Sequence, residues 1–100
     1  MNIMYRISPE CYCKLFELLL EEFDRKEYYS GSFEFDFKGV RFRMVLSAFI
    51  YRRLEKLPEG EFSRVCDVVP VWWELHTEYE GEELLNDFSF NELRAYIREQ

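Results

Sequence analysis

The sequence predicts a single α+β domain in which a helix, a three-stranded antiparallel meander and a second helix follow one another. Two helix-start signals, at Ser8 and Ser89, and one hairpin between Phe33 and Leu54 support this prediction. Each predicted helix has one apolar face, and so has the predicted sheet. We therefore expect both helices to pack on one face of the sheet and the other face to remain in water.

Composition places all of residues 1–100 in one domain. Hydrophobic residues make up 48% of the chain and aromatic residues 19%, which is typical of a globular domain and not of a disordered tail. A chain of this length buries only roughly 60 to 65% of its extended surface. We expect a thin core rich in aromatic rings, with some aromatic surface left for a partner.

The first helix is predicted from about Pro9 to about Lys26. Ser8 is a suitable N-cap, Pro9 occupies the first helical position, and an acidic residue follows in the first turn. For residues 1–7 a weak alternation leaves two alternatives open, a short strand or a simple lead-in. Residues 27–32 have the composition of a turn. The predicted buried face of the helix consists of Tyr12, Leu15, Phe16, Leu19, Leu20 and Phe23.

The hairpin is predicted with its register. Three phenylalanines alternate with charged residues from Phe33 to Phe37, as in a half-buried strand. A two-residue turn at 38–39 then places apolar residues opposite apolar ones and acids opposite bases. A slip of one residue would destroy both matches. The predicted pairs are Phe37 with Val40, Phe35 with Phe42, Phe33 with Met44, Asp36 with Arg41, and Glu34 with Arg43.

The second predicted strand continues from Val40 to Leu54, although Leu46 to Leu57 also fits helical spacing, and this alternative stays open. A third strand from about Val65 to Tyr79 should lie at the edge of the sheet, because Pro70 lacks a ladder donor and belongs at an edge or a bulge. Its predicted inner face consists of Val69, Val71, Trp73, Leu75 and Tyr79, and its outer face of Pro70, Trp72, Glu74, His76 and Glu78.

The closing helix is predicted from a capping box. Ser89 and Glu92 have the required spacing, and Phe88 and Leu93 occupy the positions of a hydrophobic staple. The helix should end near Arg98. Before it, Leu84 and Leu85 are expected only as a short apolar return after an acidic glycine turn.

Several kinds of chemistry find no support in the residue pattern, and we expect no metal, no cofactor and no catalytic residue. One histidine and two cysteines at i and i+2 of a helix do not make a zinc site. The glycines are scattered one per turn and form no phosphate loop. A nucleophile–base pair of Cys66 and His76 would be separated by roughly 30 Å along one strand.

Hydropathy, cysteine content and charge predict the cellular compartment and the class of partner. The apolar runs are short and broken by charge, and the first residues lack the pattern of a secretory signal, so we expect a cytoplasmic protein without a membrane span. Three cysteines without scaffold spacing fit a reducing compartment, where each would be a small buried apolar side chain. The net charge is -7, and residues 55–100 carry twelve acidic residues against four basic ones, which disfavours nucleic acid as a partner.

The candidate binding surface is the wet face of the predicted sheet. Arginines interleaved with exposed rings resemble surfaces that stack single-stranded nucleic acid, but the neighbouring acids favour an interpretation as cross-strand ion pairs. Tryptophan, tyrosine and arginine also dominate protein interfaces, so a protein partner is the preferred ligand. The candidate residues are Arg41, Arg43, Phe49, Tyr51, Trp72 and His76.

In general form, residues 33 to 98 resemble small uncharacterised proteins of bacterial prophages and mobile elements. The features are a strand with a glycine turn, a long second strand, a third strand interrupted by proline, an acidic glycine turn and the closing segment NDFSFNELRAYI. The resemblance implies no catalytic residue. We predict a non-catalytic interaction protein that uses the aromatic-basic face or a sheet edge to bind a protein partner or itself. The alternative is a nucleic-acid-related protein, either a weak single-strand binder through the basic strand or an acidic mimic of nucleic acid.

Overall fold

The fold is a five-stranded sheet with two helices. The structure, a computed structural model, describes residues 4–99. The strand order is β1-β5-β4-β3-β2, with β1 parallel to β5 and the other pairs antiparallel. The predicted three-stranded meander is therefore wrong, because two short strands extend it into a mixed sheet. The elements are β1 (Met4–Tyr5), α1 (Pro9–Phe23), β2 (Tyr28–Phe37), β3 (Val40–Leu57), β4 (Gly60–Tyr79), β5 (Glu82–Asn86) and α2 (Phe90–Arg98).

The two additional strands join the ends of the chain. Met4 pairs with Leu85 and Tyr5 with Asn86. The Asp87 side chain accepts a hydrogen bond from the Ile7 backbone N–H at 2.7 Å. Of the two alternatives for the first seven residues, the strand is therefore present at Met4–Tyr5, while residues 1–3 lie outside the described part of the chain.

The predicted hairpin register is confirmed at all five predicted pairs, Phe33 with Met44 through Phe37 with Val40. Lys38 and Gly39 both have positive φ, 49° and 79°, as a two-residue turn matched to strand twist requires. The turn predicted at residues 27–32 is wrong, because β2 already begins at Tyr28. Position 31 is glycine because the Tyr29 ring lies over it, with its hydroxyl 2.8 Å from where a Cβ would stand.

The second strand is a strand along its whole length, from Val40 to Leu57, so the helical alternative is wrong. The third predicted strand, β4, contains two bulges that its predicted alternation did not include. At each bulge β4 has one more residue than β3. The extra residues are Val71, between the pairs of Trp72 and Pro70, and Cys66. The predicted faces are confirmed from Trp72 to Tyr79. On the N-terminal side of the Val71 bulge the alternation is inverted, so Val68 instead of Val69 is fully buried.

The predicted location of Pro70 is met in part. It lies next to a bulge, as one of the two predicted alternatives requires. The strand β4 is not an edge strand along its whole length, because β5 pairs with its residues Thr77–Tyr79. Pro70 therefore lies on a stretch of β4 that β5 does not reach. There its missing N–H costs little.

Both helices begin where their caps predict. The Ser8 hydroxyl accepts from the Cys11 N–H at 3.2 Å, and the Ser89 hydroxyl accepts from the Glu92 N–H at 3.4 Å. The first helix ends at Phe23, three residues before the predicted end, because Asp24 takes a positive φ of 48°. Arg52 on β3 donates to the carbonyl oxygens of Asp24, at 2.8 Å, and of Lys26, which fixes this end to the sheet.

A single core lies between the helices and one face of the sheet. Its largest fully buried side chains are Phe23, Phe42, Leu15, Leu19, Met44, Leu46, Leu93 and Ile97. We call the face of the sheet that lines this core the inner face and the opposite one the outer face. The prediction that each cysteine is buried holds for Cys11, whereas Cys13 is exposed and Cys66 is half-buried at its bulge.

Candidate interaction surface

The outer face has two chemically different halves along the strands. Near the β2–β3 turn it carries charged and polar side chains, and toward the other end of β2 it carries large rings. This division follows from the register, because residues of one face recur every second position on each strand. The charged half consists of Glu34, Asp36, Arg41, Arg43, His76 and Glu78, and the aromatic half of Tyr28, Phe49, Tyr51, Val69 and Trp72.

In the charged half, opposite charges lie directly across the strands. Arg41 is flanked by Asp36 and Glu78, and its Nε atom lies 3.4 Å from the Asp36 carboxylate. Arg43 lies between Glu34 and His76. Cross-strand pairs of this kind stabilise a sheet register, so these arginines have a structural role before any role in binding.

His76 connects β4 to the short strand β5. Its Nδ1 lies 2.9 Å from the Glu83 carboxylate, and its Nε2 lies 3.3 Å from the Glu74 carboxylate. A shallow depression of about 260 Å³ opens beside the ring. Both ring nitrogens thus have acidic neighbours, and the contact with Glu83 links β4 to β5. The depression is lined by Glu34, Arg41, Arg43, His76, Thr77, Glu78, Gly81 and Glu83.

The fold does not bring Cys66 and His76 together as a nucleophile and its base. Both residues belong to the continuous strand β4, where ten residues span roughly 30 Å.

The hydroxyl of Thr77, next to the histidine, is fully buried on the inner face and accepts a hydrogen bond from Asn86 at 2.9 Å.

Trp72 joins the two halves. Its indole N–H donates to the Glu74 carboxylate at 3.1 Å. This hydrogen bond, together with the adjacent His76, holds the pKa of the Glu74 carboxyl below its ordinary value. The indole is thereby fixed by its polar edge while much of the ring stays in solvent, an arrangement common for tryptophan at protein interfaces.

The aromatic half exposes four large aromatic residues. Trp72 is 59% exposed, Tyr51 53%, Phe49 48% and Tyr28 44%. The rings of Tyr28 and Phe49 contact each other at a centroid distance of 5.0 Å. Register places Val69 beside Phe49 and Trp72 opposite Ser47, two residues from Phe49 along β3, so these side chains occupy one region of the outer face across three strands. Contiguous apolar surface of this kind marks interaction sites on soluble proteins.

All six candidate residues from the sequence lie on the outer face, but in two groups. Arg41, Arg43 and His76 belong to the charged half, and Phe49, Tyr51 and Trp72 to the aromatic half. Sequence reasoning missed Tyr28, because residues 27–32 read as a turn. Its signal was the alternation of β2, which extends back through Ser32 and Ser30 to Tyr28.

The β3–β4 hairpin extends beyond the end of β2 as a two-stranded arm, formed by residues 52–65. Arg52 pairs with Val65 at its base and Leu57 with Gly60 at its tip. Leu54, Leu57 and Phe62 are between 48% and 60% exposed along it. The arm gives the molecule an elongated shape, 54 Å in its longest dimension.

Comparisons with protein-family models, with curated proteins and with solved structures give no significant match. The resemblance to proteins of prophages and mobile elements therefore stays a prediction. Within residues 4–99, neither helix is long and apolar enough to cross a membrane. The same part of the chain contains no group of three or more histidine, cysteine or acidic side chains positioned to hold a metal ion.

Proposed function

We propose that the protein acts by binding, without catalysis of its own, and that the aromatic half of its outer face is the surface that contacts a partner protein or a second copy. The observation that carries this proposal is the patch of Tyr28, Phe49, Tyr51 and Trp72, aromatic residues that are all 44% or more exposed. Large rings held by a rigid sheet supply contact area at low entropic cost.

The surrounding structure supports this role. The patch lies on three paired strands, and the Trp72 indole is held by Glu74, so the surface is preorganised. The charged half next to it supplies the polar rim that accompanies an apolar centre in protein interfaces.

Single-stranded nucleic acid is the competing ligand, because Arg41 and Arg43 share this face with the rings. Two features make it the weaker proposal. Asp36 already contacts Arg41, and a net charge of -7 opposes approach to a polyanion. Binding to a labelled single-stranded oligonucleotide at low salt, lost on Arg43→Ser, would favour nucleic acid over protein.

Affinity capture from a lysate of the source organism tests the protein proposal. The bait is the wild type, the variant Phe49→Ser/Tyr51→Ser/Trp72→Ser, and the control Leu54→Ser, which removes an equally exposed apolar side chain from the arm. We expect a protein that the wild type and the control retain and the triple variant loses. An identical set of proteins on all three baits would refute a role for the aromatic half.

A further inference from the structure

We propose that two copies of the protein associate through the free edges of their β2 strands, which pair antiparallel about Ser32 and join the two sheets into one ten-stranded sheet. This inference goes beyond the proposed function, because the site is a sheet edge and not the aromatic half of the outer face. It names a second copy as the partner and the edge of β2 as the site.

The edge of β2 offers a row of backbone groups. The Ile50 N–H donates to the Glu27 carbonyl at 2.8 Å, and hydrogen-bonded pairs alternate along an antiparallel ladder. The odd-numbered residues of β2 therefore bond to β3, and the even-numbered ones direct their N–H and C=O groups away from it. Within residues 4–99 no strand pairs with that side of β2. The outward groups belong to Tyr28, Ser30, Ser32, Glu34 and Asp36.

The two long edges of the sheet differ in how they are protected. Edge strands usually carry proline, charged side chains (lysine above all), bulges or a covering element that prevents pairing with another chain. The uncovered length of β4 has Pro70, two bulges and an Asp67 side chain bound by Arg94 of α2. In contrast, β2 runs through ten consecutive pairs in one register. Its sequence, YYSGSFEFDF, contains neither proline nor lysine, and its two charged residues, Glu34 and Asp36, lie opposite arginines of β3. The edge left open is thus the longer regular one.

The sequence of β2 is compatible with itself in an antiparallel register centred on Ser32. With Ser32 opposite Ser32 of the second copy, Glu34 lies opposite Ser30 and Asp36 opposite Tyr28. Gly31 lies opposite Phe33. Like charges directly across a strand pair destabilise it, and this register avoids them. Pairing about residue 34 or 35 would bring acid against acid.

Charge distribution also permits the approach. The acidic run between Glu74 and Asp87 belongs to β4, β5 and the segment that follows them, at the opposite side of the sheet from β2. Edge-to-edge pairing of β2 therefore keeps the most acidic parts of the two copies farthest apart. It also places the outer faces side by side, with the aromatic half of each copy next to the charged half of the other.

Sedimentation equilibrium over a wide range of protein concentration tests the inference. We expect the wild type to approach the mass of two chains as concentration rises. Ser32→Pro removes an outward N–H without touching the β3 ladder. Because the central pair exchanges two hydrogen bonds, dimer affinity should fall about 30-fold.

Opposite charges introduced at position 32, where the two β2 strands would cross the two-fold axis of the dimer, test the register. This test does not depend on whether the strand tolerates proline. Ser32→Lys and Ser32→Glu should each weaken the dimer by placing like charges opposite each other, and an equimolar mixture of the two should restore it. Ser63→Lys, which places the same charge on the exposed arm, is the matched control and should leave the dimer intact.

Two results would overturn the edge inference: a wild type that stays at the mass of one chain at every concentration, or a dimer that all three Ser32 variants leave unchanged. The variant Phe49→Ser/Tyr51→Ser/Trp72→Ser separates it from the proposed function. We expect this variant to dimerise normally. If the triple variant is monomeric while Ser32→Pro still dimerises, self-association takes place through the aromatic half. That result would refute the edge inference and leave the proposed function standing.

Discussion

The link between Asp67 and α2 allows a quantitative prediction for stability. Arg94 donates two hydrogen bonds to the Asp67 carboxylate, at 2.7 and 2.8 Å, and Arg98 adds a third at 3.1 Å. The Asp67 and Arg94 side chains are only 22% and 27% exposed. Bonds to charged groups contribute about 1.5 to 3 kcal/mol each, and partial exposure reduces this. We expect Asp67→Asn to lower the free energy of unfolding by about 2 kcal/mol.

A double-mutant cycle with Arg94→Met isolates the pair. Urea unfolding of the wild type, both single variants and the double variant should give a coupling energy of about 1.5 kcal/mol between Asp67 and Arg94. A parallel thermal scan should show a midpoint lowered by roughly 10 °C for Asp67→Asn. A coupling energy near zero would refute the interpretation that this contact fastens α2 to β4.

The same contact predicts a dependence on pH. Arg94 and Arg98 hold the pKa of the Asp67 carboxyl well below its usual range. A folded-state pKa below the unfolded one contributes stability that is present above the unfolded value, about 3.9, and is lost as pH falls through the folded value. The stability difference between wild type and Asp67→Asn should therefore shrink below about pH 4. A difference that stays constant down to pH 2 would contradict this.

Three further variants test local features, each by urea unfolding. Gly31→Ala should lower the free energy of unfolding by about 1 to 2 kcal/mol, because its Cβ would stand 2.8 Å from the Tyr29 hydroxyl. The control Ser32→Ala, on the exposed edge, should change it by less than about 0.5 kcal/mol. Equal effects of the two variants would contradict the close approach of Tyr29 to Gly31. Ser89→Ala should cost about 1 kcal/mol by removing the N-cap of α2, and an unchanged midpoint would show that the cap is dispensable. Arg52→Met keeps the aliphatic stem but loses both hydrogen bonds to the carbonyls after α1, so we expect a loss of about 1 kcal/mol; stability equal to the wild type would refute the anchoring role.

The sequence predicted best where two independent patterns agreed. In the β2–β3 hairpin, the apolar pairs and the acid–base pairs both require the same register, with Glu34 opposite Arg43 and Phe35 opposite Phe42. The helix starts were predictable for a similar reason, since Ser8 and Ser89 are caps with a local mechanism. Such signals depend only on neighbouring residues.

The third strand was predicted from about Val65, whereas β4 begins at Gly60, and its faces were predicted correctly only from Trp72 to Tyr79. Bulges at Val71 and Cys66 each insert one residue, and each inverts the alternation beyond it. Only Pro70 signalled an irregularity, and it could not indicate which residue would be the extra one. The start of β2 was missed for another reason: serine and glycine composition suggested a turn, while the Tyr29 ring over Gly31 is a feature of the folded state.

The two short strands could not have been predicted from their own residues. The pairs of Met4 with Leu85 and Tyr5 with Asn86 join segments some eighty positions apart. Each segment has too few residues to show a period, and β5 begins with two acids that mask its strand character. Their pairing depends on tertiary contacts such as the Asp87 bond to the Ile7 N–H.

Site-specific photo-crosslinking tests the central claim, that the aromatic half of the outer face contacts a protein. A benzophenone amino acid replaces Phe49 in one variant, Trp72 in a second and Lys14, on the exposed side of α1, in a third. After irradiation in a lysate of the source organism, we predict a discrete protein adduct from positions 49 and 72 and none from position 14. Adducts from position 14 alone, or equally from all three positions, would contradict the account.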